Sequence, residues 1–192
     1  AESNAHRWGK QIFFMGISIL GIGLFWMQKD HYKAYQKWNK AQMFYNNKAY
    51  EAALEVYEPL YPLLKHKPEF LFEAAQSLSK TGRYEKANEY LERAILLSSD
   101  PMLYYVMAKN EQCLGEYRQA EKHLLHAIDI LPERIYPYYL LMNLYTEPSY
   151  FQPAKLKMAI DSVLTKKPKV ESSAIKEMKE KARSISATTK ER

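Results

Sequence analysis

Two histidines and one cysteine are the side chains of this sequence that could act as metal ligands or as a nucleophile. His123 and His126 lie three positions apart in a predicted helix, and Cys113 is the single cysteine. A metal site needs ligands that converge from supported positions, and two histidines at this spacing are a weak signal for one. The commoner alternative is a solvated outer helix face, which we expect for both histidines. Cys113 has no base nearby in the sequence to activate it, so we expect it to pack.

The sequence carries none of the motifs that usually support catalysis or bind a cofactor. There is no phosphate-binding glycine loop, nucleophile elbow, pair of zinc cysteines or two-histidine metal helix. We therefore predict a non-enzymatic segment that holds no cofactor and no metal. The formal net charge of +6 could indicate nucleic acid, but the basic residues are spread along the chain rather than gathered on one helix. Nucleic acid is therefore not an expected partner.

Aromatic side chains recur at intervals that place them at one position of successive helices. Trp38, Phe72, Tyr105 and Tyr138 follow one another at nearly equal spacing. If these helices line one concave face, their rings form a ladder that suits an extended peptide, a helix or a sugar ring. The other members of this predicted groove lie further along the same helices: Tyr45, Lys80, Lys109 and Tyr145. The alternative is that the aromatic rings serve packing alone.

A repeat of about 34 residues, the length typical of tetratricopeptide units, positions these side chains. Gly82, Tyr84, Ala87, Leu91 and Ala94 recur at a constant offset as Gly115, Tyr117, Ala120, Leu124 and Ala127. This period predicts tetratricopeptide-type helical hairpins, each of which buries its apolar face against its neighbours. Small residues that let the helices of a hairpin pack closely recur at nearly the same interval: Ala53, Ala87, Ala120 and Ala154. The predicted fold is an all-α, right-handed solenoid of about four hairpins.

Proline and polar residues mark the predicted domain boundaries. We assign the repeat array to residues 31–168, divided into 31–67, 68–100, 101–134 and 135–168. Residues 169–192 are predicted to form a capping helix and a tail, because a terminal repeat needs a polar outer face. The apolar side of that helix is predicted to carry Ile175, Met178, Ala182 and Ile185.

The turn and the second helix of the first hairpin carry specific predictions. Asn46 and Asn47 can adopt the left-handed conformation that reverses the chain after the first helix. Pro59 and Pro62 fall inside the second helix of this unit. Proline removes a backbone donor and clashes with the preceding turn, so we expect that helix to end or kink near Glu58.

Residues 11–28 are predicted to form a transmembrane helix, after a flexible end at 1–10. The segment is uncharged but short of the ~20 apolar residues that usually span a bilayer. Trp8 and Trp26 are separated by a distance that, at ~1.5 Å per residue, is close to a hydrocarbon core with an aromatic belt at each edge. The alternative is a signal-peptide core, for which the sequence after Trp26 supplies no small-residue cleavage site. Lysines in excess after the segment favour a cytoplasmic repeat domain.

Two strings near the end of the sequence add a family resemblance. They are Leu131-Pro132-Glu133-Arg134-Ile135-Tyr136-Pro137-Tyr138 and Lys169-Val170-Glu171-Ser172-Ser173-Ala174-Ile175-Lys176. With the apolar segment and the repeats, they make the chain resemble the C-terminal end of bacterial O-antigen ligase or O-antigen polymerase family membrane proteins that carry tetratricopeptide repeats. The resemblance implies a parent protein that transfers or polymerises lipid-linked glycans, with its catalytic arginine and histidine residues in loops outside this sequence.

The resemblance leads to one functional hypothesis and two alternatives. We predict a non-catalytic protein-interaction and assembly module in envelope polysaccharide synthesis, with a protein or peptide partner and with membrane lipid around residues 11–28. A free-standing, membrane-anchored adaptor that recruits soluble partners is the first alternative, and direct glycan binding by the aromatic groove is the second. A receptor for chaperone tails is disfavoured, because Trp38 and Phe72 occupy positions where a carboxylate clamp needs polar donors.

Overall fold

The chain forms α-helices joined by short connections. The computed structural model describes the backbone of residues 2–190 and the side chains of residue 8, residues 13–21, residue 23 and residues 29–188. The helices are α1 (Glu2–Asn46), α2 (Tyr50–Leu64), α3 (Pro68–Lys80), α4 (Tyr84–Ile95), α5 (Pro101–Cys113), α6 (Tyr117–Ile130), α7 (Tyr136–Tyr145), α8 (Pro153–Thr165) and α9 (Ser173–Lys190). A 3-10 helix at Pro148–Tyr150 precedes α8. Residues 2–190 contain no strand, and the predicted all-helical fold is confirmed.

The helices fall into two compact units, Ala1–Leu64 and Lys65–Arg192. In the first unit α1 packs against α2. In the second, α3 packs against α4, α5 against α6, and α7 against α8, while α4, α6 and α8 each also contact the helix that follows. The second unit is therefore a row of helical hairpins in which each pair packs on the next, and α9 closes the row.

Glycines with positive φ turn the chain inside the second-unit hairpins. Gly82 has φ 78°, a conformation that is costly for any residue with a Cβ. The backbone N–H of Arg83 donates to the carbonyl oxygen of Leu78 at 2.9 Å, so this turn satisfies a carbonyl at the end of α3. Gly115 repeats the same φ at the end of α5. The repeated glycine thus has a direct conformational reason.

The first hairpin turns on a lysine rather than on asparagine. Lys48 is the residue with positive φ, at 60°, and the N–H of Ala49 donates to the carbonyl oxygen of Phe44 at 2.9 Å. The prediction that Asn46 or Asn47 supplies the left-handed residue is therefore wrong. Non-glycine residues adopt this region at a cost of roughly 1–2 kcal/mol, which the closed turn offsets.

Pro59 and Pro62 lie inside α2 without ending it. The helix continues to Leu64, so the expected end near Glu58 is wrong. Each proline withholds a donor from the carbonyl four positions earlier, at Glu55 and at Glu58. Both prolines and both glutamates are exposed, so water can hydrogen-bond to the freed carbonyls.

Small residues pack between the helices in three of the four hairpins. Ala53, Ala87 and Ala120 are fully buried. Ala154 is exposed, and the equivalent inner position of α8 is taken by Leu156, which is 1% exposed. The prediction for Ala154 is wrong because the 3-10 helix lengthens the last hairpin turn and moves the packed position of α8 further along the chain.

The apolar side of α9 is the one that the sequence predicts. Ala182 is fully buried, and Ile175, Met178 and Ile185 pack in part against the core of the second unit. The helix therefore covers the end of the row with its small and branched residues.

The N-terminal part of the chain belongs to α1, which is continuous from Glu2 to Asn46. The predicted flexible end at 1–10 is thus helical from Glu2 onwards. The predicted span at 11–28 includes Trp26 and other side chains that lie outside the described residues. Within the described residues, no helix combines the length and the apolar character needed to cross a membrane.

Candidate functional site

A groove crosses α3 and α5 in the second unit. It encloses about 410 Å³, within the range of ~300–1,000 Å³ that is typical of ligand sites. Its α3 wall is polar and is formed by Gln76, Ser79 and Lys80. Its α5 wall mixes apolar and polar side chains: Met102, Tyr105, Val106, Lys109, Asn110 and Cys113. Tyr84 of α4 and Tyr136 of α7 complete the lining.

Two exposed lysines give the groove a cationic character. Lys80 is the last residue of α3, and Lys109 lies in the last turns of α5. Neither lysine forms an ion pair with another described residue. Asn110, by contrast, is 2% exposed and its amide donates to Asn88 Oδ1 at 2.8 Å, so it fixes the hairpins rather than the groove. The two ammonium groups are available for carboxylates of a ligand.

Two tyrosines form the aromatic part of the groove. The rings of Tyr105 and Tyr136 meet edge to face with their centroids 5.2 Å apart. Burial raises the pKa of Tyr105, although the charge of Arg134 opposes the rise. Burial likewise raises the pKa of Tyr136, against the charge of Lys80. Both phenols are therefore neutral near pH 7. The hydroxyl of Tyr105 is buried without a hydrogen-bond partner among the described residues, so Tyr105 contributes ring surface alone.

Tyr138 and Tyr145 do not line this groove. Tyr138 donates its hydroxyl to the carbonyl oxygen of Pro132 at 3.1 Å, and its ring lies 4.9 Å from the Nζ of Lys166. Tyr145 is 3% exposed and donates to Glu121 at 2.6 Å. Both side chains stabilise the fold.

A shift in register explains why Tyr138 does not occupy the position of Tyr105. Tyr105 is the fifth residue of α5, whereas Tyr138 is the third residue of α7. The second helix of the hairpin has 14 residues in α6 but 12 in α4. The interval from Pro101 to Tyr136 is consequently two positions longer than the interval from Pro68 to Pro101. One residue of slippage rotates a helical position by ~100°. A strictly constant period therefore selects the wrong face of α7.

The three remaining aromatic members of the predicted ladder do not line the groove. Phe72 is half-buried in α3 and lies outside the lining. Trp38 and Tyr45 belong to the first unit, where both are half-buried. The ring of Trp38 lies 5.8 Å from that of Tyr35, and the ring of Tyr45 lies 6.0 Å from that of Tyr50. Of the predicted site residues, the groove brings together Lys80, Tyr105 and Lys109.

The histidines and the cysteine take roles that the sequence did not reveal. His123 Nδ1 lies 2.9 Å from the carboxylate of Glu111, which is 5% exposed, so this histidine pairs with a buried acid rather than with solvent. His126 is exposed and its ring lies 4.6 Å from that of Tyr104. Cys113 is exposed in the groove instead of packed, and a hydrogen bond with its thiol raises the pKa of Tyr84. No three His, Cys, Asp or Glu side chains of the described residues group as metal ligands.

A carboxylate cluster that sequence reasoning missed joins α6 to the last hairpin. Glu121 accepts the hydroxyls of Tyr145 and Tyr150, each at 2.6 Å, and the ammonium of Lys155 at 2.7 Å. Burial raises the pKa of Glu121, but the bonds from Lys155 and the two tyrosines outweigh it and hold the pKa below its usual value. Burial and the bond to Glu121 raise the pKa of Tyr150 to about 12. The partners are far from Glu121 in the sequence, and no short motif signals them.

Comparisons with known proteins agree on helical repeats. The family described as anaphase-promoting complex, cyclosome, subunit 3 has a model that matches residues 46–127, less than half of the chain. Among curated proteins, no match was found. A solved structure of MamA, residues 41 to the end, from Desulfovibrio magneticus RS-1 is similar with a TM-score of 0.64 and 20% identity, over 83% of this chain and 94% of that chain.

Two further solved structures share the fold. One is a Podosopora anserina protein with nearly identical TPR-like repeats, described as a putative kinesin light chain, at a TM-score of 0.62 and 16% identity over 83% of this chain and 89% of that chain. The other is the Yersinia enterocolitica type III secretion chaperone SycD in complex with a peptide of the translocator YopD, at a TM-score of 0.51 and 18% identity over 65% of this chain and 90% of that chain. At such identities the likeness shows the fold alone.

The fold and these comparisons define the class of the protein. It contains an all-helical region of tetratricopeptide-like repeats. Repeat regions of this class are generally non-catalytic scaffolds with extended binding surfaces. None of the proteins named above is an O-antigen ligase or polymerase, so the comparisons do not support that part of the resemblance.

Proposed function

We propose that the groove across α3 and α5 binds an extended, acidic segment of a partner protein. The observation that carries this proposal is that Lys80 of α3 and Lys109 of α5 line one groove and that no described residue forms an ion pair with either. Lysine ammonium groups that lack an internal carboxylate attract external ones, and a groove focuses that attraction.

The rest of the lining favours a peptide. Met102 is 40% exposed and lies beside Val106 on the α5 wall, so an apolar side chain of a ligand can bury surface there. Ser79 of α3 donates its hydroxyl to the carbonyl oxygen of Ala75 at 2.9 Å, and its oxygen can still accept a hydrogen bond from a peptide N–H. A sugar would instead require an open aromatic face, and Tyr105 is 4% exposed. We therefore favour a peptide over a glycan.

The SycD structure adds support at the level of the fold. That chaperone, which shares this architecture, was solved in complex with a peptide of the translocator YopD. A similar arrangement of hairpins can therefore hold a peptide, and the chemistry of the groove in this chain selects an acidic one.

The test is direct titration of a fluorescent, terminally blocked peptide that alternates Asp or Glu with Leu. The double variant Lys80→Glu/Lys109→Glu should weaken binding by roughly 4- to 25-fold, since each exposed charge pair contributes up to ~1 kcal/mol. Higher salt should reduce the difference. The matched control is Lys122→Glu/Lys157→Glu, which changes two exposed lysines of α6 and α8 and should leave affinity within twofold of the unaltered chain. Equal losses in both double variants would refute the groove as the site.

A finer proposal concerns where the module works. We propose attachment to the bacterial inner membrane through residues 11–28, with the repeats in the cytoplasm, next to or within a protein that handles lipid-linked O-antigen glycans. The support is confined to the uncharged segment and the two strings, 131–138 and 169–176. Flotation with liposomes should follow residues 11–28 and should be lost when two aspartates are placed at Ile17 and Leu20. Undiminished flotation would exclude this anchor.

A further inference from the structure

The two strings that the sequence analysis singled out meet in space. The first forms the connection between α6 and α7, and the second runs into the first turns of α9. Together they line a pocket that encloses about 750 Å³, near the upper part of the range for ligand sites. Neither string contributes to the walls of the groove except through Tyr136. The function proposed for the groove therefore does not account for this second pocket.

The walls of this pocket, which we name the α9 pocket, are largely apolar. Ile175 and Met178 line it from α9, and Ile135 and Tyr136 line it from the start of α7. Two apolar side chains stand exposed in its lining: Val170 is 77% exposed and Leu131 is 39% exposed. When a ligand covers exposed aliphatic surface around a concave site, the free energy of the complex falls in proportion to the apolar area removed from water.

The charges around the α9 pocket have one predominant sign. Arg134 and Lys169 line it and are exposed, and neither forms an ion pair with a described residue. The one acidic residue of the lining, Glu133, lies 3.9 Å from the Nζ of Lys166. Two cations therefore remain beside an apolar cavity, and they complement acidic groups on a ligand.

We propose that the α9 pocket binds one large apolar side chain of a linear peptide, with acidic residues on both sides of that side chain. The apolar anchor enters between α7 and α9 and covers Val170 and Leu131. The flanking carboxylates lie against Arg134 and Lys169. This site is separate from the groove and does not depend on it, although the two share Tyr136.

Methionine signals of the full chain report the two sites separately. Met178 lines the α9 pocket and Met102 lines the groove, while Met142 is fully buried and Met158 is 70% exposed on α8. The chain has eight methionines, and single Met→Leu variants assign their ¹³C-methyl resonances. The probes are blocked peptides Glu-Asp-Gly-X-Gly-Asp-Glu, in which X is Leu, Ile, Phe or Trp, up to about 1 mM. The proposal expects a saturable shift of Met178 that is absent when X is Ala.

Paired variants test the anchor and the charges. Arg134→Glu/Lys169→Glu should weaken the Met178 response by roughly 4- to 25-fold, at two- to fivefold per exposed charge, while the control Lys122→Glu/Lys157→Glu leaves it unchanged. Val170→Asp should abolish the response, and Leu96→Asp, at a position that is 82% exposed on another turn, should not.

Three results would overturn the proposal. The first is no Met178 shift with any peptide of the panel. The second is a shift of Met102 alone, which would leave the groove proposal standing and remove this one. The third is a Met178 shift that depends on protein concentration without peptide, since a second copy of the chain would then occupy the pocket.

Discussion

The cluster around Glu121 allows one stability prediction to be worked through from the structure. Glu121→Ala removes the acceptor of the Tyr145 hydroxyl, the Tyr150 hydroxyl and the Lys155 ammonium. Tyr145 is 3% exposed, so its hydroxyl cannot readily reach water once the carboxylate is gone. Leaving a buried hydroxyl unpaired costs roughly 1–3 kcal/mol.

The other two bonds add less. Tyr150 is half-buried and can take water in exchange, at a cost of about 0.5–1.5 kcal/mol. The Lys155 side chain is 48% exposed, and an exposed ion pair contributes ~0–1 kcal/mol after solvent screening. Relief of the burial of the carboxylate offsets part of the sum, so we expect Glu121→Ala to lower the free energy of unfolding by about 2–4 kcal/mol. For a chain of this size the melting temperature should fall by roughly 5–15 °C.

Calorimetry on four chains measures the prediction: the unaltered chain, Glu121→Ala, Tyr145→Phe and the double variant. Tyr145→Phe removes the hydroxyl that Glu121→Ala would leave unpaired. Adding Tyr145→Phe to Glu121→Ala should therefore lower the free energy of unfolding by at most about 0.5 kcal/mol. The reasoning would be refuted if the stability losses of the two single variants were additive in the double variant. It would also be refuted if Glu121→Ala alone lowered the free energy of unfolding by less than about 0.5 kcal/mol.

The pH dependence follows from the lowered pKa of Glu121. A carboxyl group with a depressed folded-state pKa contributes stability that is present above its unfolded pKa, about 4.3, and that is lost as the pH falls through the folded value. The difference in stability between the unaltered chain and Glu121→Gln should therefore be largest near neutral pH and should shrink at acid pH. A difference that grows on acidification would contradict the sign of the shift.

Two further predictions concern helix ends. Gly115→Ala should destabilise the second unit by roughly 1–2 kcal/mol, because the φ of Gly115 is 78° and the space around it is open, so that the cost is conformational alone. Lys48→Gly should instead stabilise the first unit. Melting temperatures that change in the same direction for both variants would contradict the argument. Asp100→Ala should cost about 1 kcal/mol in urea denaturation, because Asp100 Oδ1 accepts the N–H of Met102 at 2.9 Å at the start of α5, whereas Ser99→Ala, at an exposed neighbour, serves as the control and should be neutral.

Much of the fold could be predicted from the sequence because the repeat encodes local geometry. Gly82 and Gly115 are required where φ is positive, and Ala87 and Ala120 are required where helices pack closely. These requirements act within one hairpin, so the same residue types recur at a constant interval and can be recognised in a single sequence. The position of Ala154 escaped prediction because the added 3-10 helix breaks that period.

The candidate site could be predicted only in part, because it depends on the register of each hairpin relative to the next one. Lys80, Tyr105 and Lys109 lie within two consecutive hairpins of equal spacing, and all three line the groove. Tyr138 was predicted because a constant interval from Tyr105 ignores the two extra residues of α6, and Tyr136 was missed because, as the first residue of α7, it lies outside that interval. Contacts such as those of Glu121 were missed as well, since they join distant residues whose types alone do not mark them as a set.

The groove is lined by different side chains on successive helices. Lys80 comes from α3, Lys109 and Tyr105 come from α5, and Tyr136 comes from α7, so the lining along these helices begins with a lysine and ends with a tyrosine. A strictly periodic array would offer the same side chain at each step, and a bound segment could lie in either direction or slide by one repeat. A ligand of the proposed groove would meet an ordered sequence of chemical groups, which favours one N-to-C direction and one register over the others.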